Sequence, residues 1–94
     1  MLEQEIEVSL IGQSQFDDKQ QIWSVHGSIH KSYFAGQQML LIQAIHNTHE
    51  TEFELHYLAL KVGGFASEED AKFNAPSFAK SVLFTLDDLI KVES

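Results

Sequence analysis

The chain has no cysteine, no arginine and only one proline. Without cysteine there is neither a disulfide framework nor thiol chemistry. Without arginine it lacks the bidentate fork that grips phosphates and guanines. Six scattered lysines do not replace that fork, which argues against direct nucleic-acid binding. No segment approaches the roughly 18 consecutive apolar residues of a membrane-spanning helix. The opening MLEQEIE has neither the basic nor the apolar part of a signal peptide, so the expected location is the cytoplasm. Gly63-Gly64 lacks the Lys-Ser/Thr pair of a phosphate loop, and no GxSxG elbow occurs.

What remains is a short chain of 94 residues, 44% of them hydrophobic. That composition supports one small folded domain rather than disorder. Fourteen acids against six lysines leave a formal net charge of −8. Such a charge serves solubility, and it also steers a basic partner toward the molecule over long range.

Apolar periodicity predicts an α+β fold. Four mainly antiparallel strands are expected, at about 4–11, 22–31, 39–46 and 52–62. They are followed by one or two C-terminal helices on one sheet face. In the first strand Ile6, Val8 and Leu10 alternate with Glu5, Glu7 and Ser9, the two-residue period of a half-buried strand. In the second, Trp23, Val25 and Ile29 take one face while His26 and His30 take the other, with Gly27 marking a bulge or a close backbone approach. Ala35-Gly36 marks a turn. MLLIQAIH (39–46) shows no clean helical face and fits a buried strand. In the fourth strand Phe53, Leu55 and Tyr57 alternate with Glu52, Glu54 and His56. Gly63-Gly64 ends that strand, and Ser67 with Asp70 three residues on resembles a capping box.

Helices are predicted over 67–73 and 77–91, broken at Pro76, which lacks an amide proton. On a wheel, Phe78, Ala79, Val82, Leu83, Leu86, Leu89 and Ile90 share one arc, and Phe84 is the discordant large residue. A rival parse makes 82–85 a fifth strand.

Two sets of side chains are candidates for chemistry. Histidines 26, 30, 46, 49 and 56 dominate the polar inventory, alternating with serine and glutamate on what reads as a solvated sheet face. A divalent-metal site would draw on His26, His56, His46 and His49. His46 and His49 have an HxxH spacing on a predicted turn, but no short zinc signature exists. Glu5, Glu7, Glu52 and Glu54 form the second set, at positions the alternation marks as solvent-facing. Catalysis usually needs a pocket that shifts pKa values, so the chain reads as a non-catalytic protein. No cofactor is expected. The leading expectation is a small acidic protein-binding module of the inhibitor, immunity or adaptor kind. It would meet a basic protein surface through Glu5, Glu7, Glu52, Glu54, His26, His30 and His56. Metal binding and self-association through surplus aromatics or a free sheet edge are the alternatives.

Overall fold

The computed structural model describes residues 6–9, 11–12, 20–45 and 51–92. Five strands follow one another in sequence and in space: β1 (Ser24–His26), β2 (Ile29–Phe34), β3 (Gln37–Ile45), β4 (Thr51–Tyr57) and β5 (Leu60–Phe65). Every neighbouring pair is antiparallel, so the sheet is an up-and-down meander. One long helix, α1 (Glu68–Asp88), packs on one of its faces. The α+β expectation holds, with five strands instead of four.

Three two-residue turns join the strands, and two of them split strands expected to be continuous. Gly27 has φ 65° between the paired residues His26 and Ile29. Ala35 and Gly36 have φ 52° and 75° between Phe34 and Gln37. Leu58 and Ala59 have φ 48° and 69° between Tyr57 and Leu60. Positive φ at both central residues, as at Ala35-Gly36 and Leu58-Ala59, is what a type I′ hairpin turn requires, and positive φ at Gly27 alone, before Ser28, is the type II′ pattern; both twists suit antiparallel strands. The single strands expected at 22–31 and 52–62 are therefore two hairpins, one folding at Gly27 and the other at Leu58-Ala59. Ile6 to Ser9, expected in a first strand over 4–11, have no strand pairing; Glu5 and Leu10 lie outside the described residues.

The two faces of the sheet differ in composition. Ser32, Phe34, Met39, Leu41, Leu55 and Tyr57 point toward the helix and are buried. They meet Ala71, Ala75, Ala79 and Val82 of α1, with Trp23, Phe53, Val62 and Phe65 closing the margins. Small alanines at i, i+4, i+8 let the helix backbone approach the sheet closely. Trp23 seals the end, its ring 6.2 Å from that of Phe34 and the Lys72 Nζ 5.8 Å above it. Gln20 is tied to the turn after β2: its side-chain oxygen accepts from the Gly36 amide at 3.1 Å.

The helix starts as expected. Ser67 is extended at φ −146°, and its hydroxyl accepts from the Asp70 amide at 3.0 Å. Glu68, Glu69 and Asp70 occupy the first turn, where the helix dipole favours negative charge. The helix then runs through Pro76 without a break, so the two helices expected are one and the rival strand over 82–85 is excluded. The buried arc is shorter than the wheel implies. Val82 is its last buried residue; Leu83 is 41% exposed and Leu89 and Ile90 are 69% exposed. Leu89 and Ile90 carry the apolar pattern past the last buried residue of the helix.

Candidate functional site

The face opposite the helix is built from alternate residues of every strand. Pairing registers place them in rows. One row runs Ser24, Lys31, Leu40, His56, Lys61. The next runs His26, Ile29, Ile42, Glu54. Tyr33 and Gln38 lie at one end, and Ala44 and Glu52 at the other. The centre is thus apolar, with Ile29, Leu40 and Ile42 half-buried against one another. Among the described residues, no helix or strand packs over this centre.

Polar side chains rim that centre. On the β4 and β5 flank, Glu54 Oε1 lies 3.0 Å from His56 Nε2, and Glu54 Oε2 lies 3.9 Å from Lys61 Nζ. Gly63 gives the glutamate its space: a Cβ there would sit 3.3 Å from Glu54 Cγ. The carboxylate is thereby drawn in, with its side chain only 16% exposed. On the β1 flank, Ser24 Oγ and His26 Nε2 lie 3.0 Å apart. A shallow cleft of about 340 Å³ opens beside Leu40, His56 and Lys61, at the Leu58-Ala59 turn.

The structure brings Glu52, Glu54, His56 and His26 onto this one face, as the alternation implied. It does not bring His30 there. The turn at Gly27 sets His30 opposite Val25, on the helix side. There His30 Nε2 meets Glu68 Oε2 of the first helical turn at 3.3 Å, tying the sheet to the start of α1. Its Nδ1 and the neighbouring Ser32 hydroxyl are buried without a hydrogen-bond partner among the described residues. Glu7 is exposed in irregular chain. Glu5, His46 and His49 lie outside the described residues.

The histidines do not gather. His26 and His56 are three strand spacings apart, about 14 Å at 4.7–4.9 Å each, too far to share one ion. Among the described residues, no group of three His, Asp or Glu side chains is placed to hold a metal. The resolved electrostatic perturbation falls on Tyr57, whose hydroxyl burial pushes up from its ordinary 10.0. That residue belongs to the core and not to the open face.

Sequence reasoning missed Lys31, Lys61 and the apolar centre of Ile29, Leu40 and Ile42 as members of this surface. Lys31 and Lys61 were hidden because the turns that set their facing were not recognised. Leu40 and Ile42 fall in a run that reads as buried on both sides, because a half-covered sheet and a fully covered one give the same apolar run, and Ile29 reads as sharing a face with Trp23 and Val25 until the turn at Gly27 reverses it. No helix among the described residues is long and apolar enough to cross a membrane. The chain matches no known family, and no characterised protein or solved structure is detectably similar to it.

Proposed function

We propose that this is a non-catalytic protein-binding module whose contact surface is the open face of the sheet. The observation that carries the reading is the apolar centre of Ile29, Leu40 and Ile42, rimmed by polar and charged groups, on a sheet covered on its other side. An apolar patch with a polar rim is the ordinary composition of a protein interface.

Charge adds the kind of partner. The face itself carries Glu52 and Glu54 against Lys31 and Lys61, so it is locally balanced. The whole chain is at −8. Attraction therefore comes from the molecule's overall field, which favours a basic partner and speeds the encounter, while the apolar centre holds the complex. An inhibitor, immunity or adaptor role has this physics.

A photo-crosslinking residue at Ile42, compared with one at the exposed Glu69, tests the assignment in cells. A discrete heterologous adduct from Ile42 alone supports it. Adducts from both positions, or none from Ile42, refute it. With the captured partner purified, the association rate should fall steeply as salt rises. A rate indifferent to salt removes the electrostatic part.

A further inference from the structure

β5 is the last strand of the sheet, and among the described residues no strand pairs with its outer side. Leu60 closes the two-residue turn as the hydrogen-bonded partner of Tyr57. Alternation then points the N–H and C=O of Lys61 away from β4, toward solvent. The register shifts beyond Val62, at Gly63-Gly64, so Leu60 to Val62 is the regular part of this edge. Its two sides differ. Leu60 and Val62 stand on the helix side, where Val62 and Phe65 face Phe78 across a groove of about 440 Å³ between β5 and α1. Lys61 stands on the open-face side. It lies 3.9 Å from Glu54 Oε2, and with a side chain 67% exposed it has room for a second carboxylate.

A second feature matches this edge. Ile6 to Ser9 alternate apolar and polar residues with the period of a strand, yet they pair with no strand. Ile6 is 78% exposed and Val8 is 90% exposed, and Glu7 between them is exposed as well.

We propose that the edge of β5 takes Ile6–Ser9 of a second copy of the chain as an added antiparallel strand, with Glu7 opposite Lys61. Unpaired N–H and C=O groups along a strand edge are satisfied by the backbone of another strand. Directly opposed residues share a face, so Glu7 meets Lys61 on the open-face side as a cross-strand pair of opposite charge. Ile6 and Val8 then lie opposite Val62 and Leu60 on the helix side, with Ile6 over the groove that Phe65 and Phe78 line. A slip of one residue would turn Glu7 into that groove and both apolar side chains toward water. Charge on one side of the edge and apolar side chains on the other therefore select the same register. Exchange in both directions closes the contact at two copies. The added strand widens the sheet and leaves Ile29, Leu40 and Ile42 uncovered, so this contact is independent of the binding surface proposed above.

Four residues with two apolar side chains make a contact well below standard interface size. A weak, reversible dimer follows, with a dissociation constant of about 10 µM to 1 mM. The charge of −8 on each copy opposes it at low salt and is screened beyond about 8 Å at physiological ionic strength.

Sedimentation equilibrium of the full chain from about 10 µM to 1 mM at physiological salt reads the association. A monomer–dimer equilibrium is expected. Val8→Lys should weaken it at least about tenfold, whereas Phe73→Lys, the same change of charge on the exposed side of α1, should leave it within about twofold. Glu7→Lys and Lys61→Glu should each weaken it by about three- to tenfold, and the two combined should restore it. Glu7→Lys lowers the net negative charge, so simple repulsion predicts a stronger dimer and the pairing predicts a weaker one. All these positions are exposed, and circular dichroism checks that each variant folds. The absence of native cysteine permits a second readout. Ile6 and Val62 would form a non-hydrogen-bonded pair with Cα atoms about 4.5 Å apart, within disulfide reach. A chain carrying both Ile6→Cys and Val62→Cys should oxidise to a covalent dimer, and neither single variant should do so to a comparable extent. A chain monomeric throughout, an internal disulfide within one copy, or a charge exchange that fails to recover what the singles lose overturns the proposal.

Discussion

The Tyr57 hydroxyl donates a hydrogen bond to the Phe34 carbonyl, reaching across β3 to join the last residue of β4 to the last residue of β2. Both groups are buried, and the rings meet edge-on with centroids 6.4 Å apart. Each residue stands immediately before a two-residue turn, so one side chain fastens two hairpin ends at the same end of the sheet. A buried phenol without a partner would be destabilising, and this contact is what allows a tyrosine in the core.

Replacing Tyr57 with Phe keeps the ring and removes the donor, leaving the Phe34 carbonyl without it. The expected cost is about 1–2 kcal/mol in urea unfolding at neutral pH. The variant also differs at alkaline pH. Burial raises the hydroxyl pKa of Tyr57 above 10.0 in the folded chain. Below pH 10 the phenol is protonated in both states and its stabilising contribution is fully present. Above pH 10 the unfolded chain ionises first, so stability falls as pH rises toward the folded value. Unfolding curves between pH 9 and 11 should fall more steeply for the parent than for Tyr57→Phe. Parallel slopes would contradict the assignment.

Ala59 offers a second test. Its φ of 69° lies in the left-handed region, which costs an L-residue roughly 1–2 kcal/mol and glycine nothing. Glycine has more freedom to lose on folding, which offsets part of the gain. Ala59→Gly should therefore stabilise by up to about 1 kcal/mol, and Ala59→Val should destabilise by about 1 kcal/mol or more. A stability gain from valine would show that the turn is not of this type.

Pro76 sits nine residues into α1 and leaves the Lys72 carbonyl without its usual amide donor. A mid-helix proline costs up to about 3 kcal/mol relative to alanine. Pro76 is also half-buried, beside Phe34 and Leu83, so some packing is lost when it is cut back. Pro76→Ala should raise thermal stability by about 1–2 kcal/mol, read by calorimetry. A lower melting temperature would mean that the ring's packing outweighs the missing hydrogen bond.

How much of this was legible depends on which rule each residue obeys. The facing of Glu52, Glu54 and His56 against Phe53, Leu55 and Tyr57 followed from alternation alone, and the helix start followed from Ser67 and Asp70. The turn at Leu58-Ala59 did not, because neither residue is a customary turn former and the register of the sheet imposes the conformation. Missing a two-residue turn reverses parity. Read as one strand, His26 and His30 share a face; folded at Gly27, they are on opposite sides. Pro76 reads as a break by the local rule, and packing of Ala71, Ala75, Ala79 and Val82 on the sheet overrides it. Phe84 was marked as discordant by the wheel, and it is exposed. Leu83, Leu89 and Ile90 were placed in the core by the same wheel, which records direction around the helix and not where the sheet ends.

The two faces of the sheet should respond differently to the same kind of truncation. Leu55 is fully buried beneath α1, and its conversion to alanine leaves a cavity among Leu41, Tyr57 and the helix alanines. Such a change costs about 2–5 kcal/mol, a large share of what a domain this small possesses. Ile42 is only half-buried on the open face, and its neighbours there can relax toward solvent. Ile42→Ala should cost about 1 kcal/mol or less while keeping a cooperative unfolding transition. That variant then separates stability from recognition, since it removes the centre of the proposed contact surface from a chain that still folds. Equal losses at the two positions would mean that the open face is covered as deeply as the helix face, and the binding assignment would have to move elsewhere on the molecule.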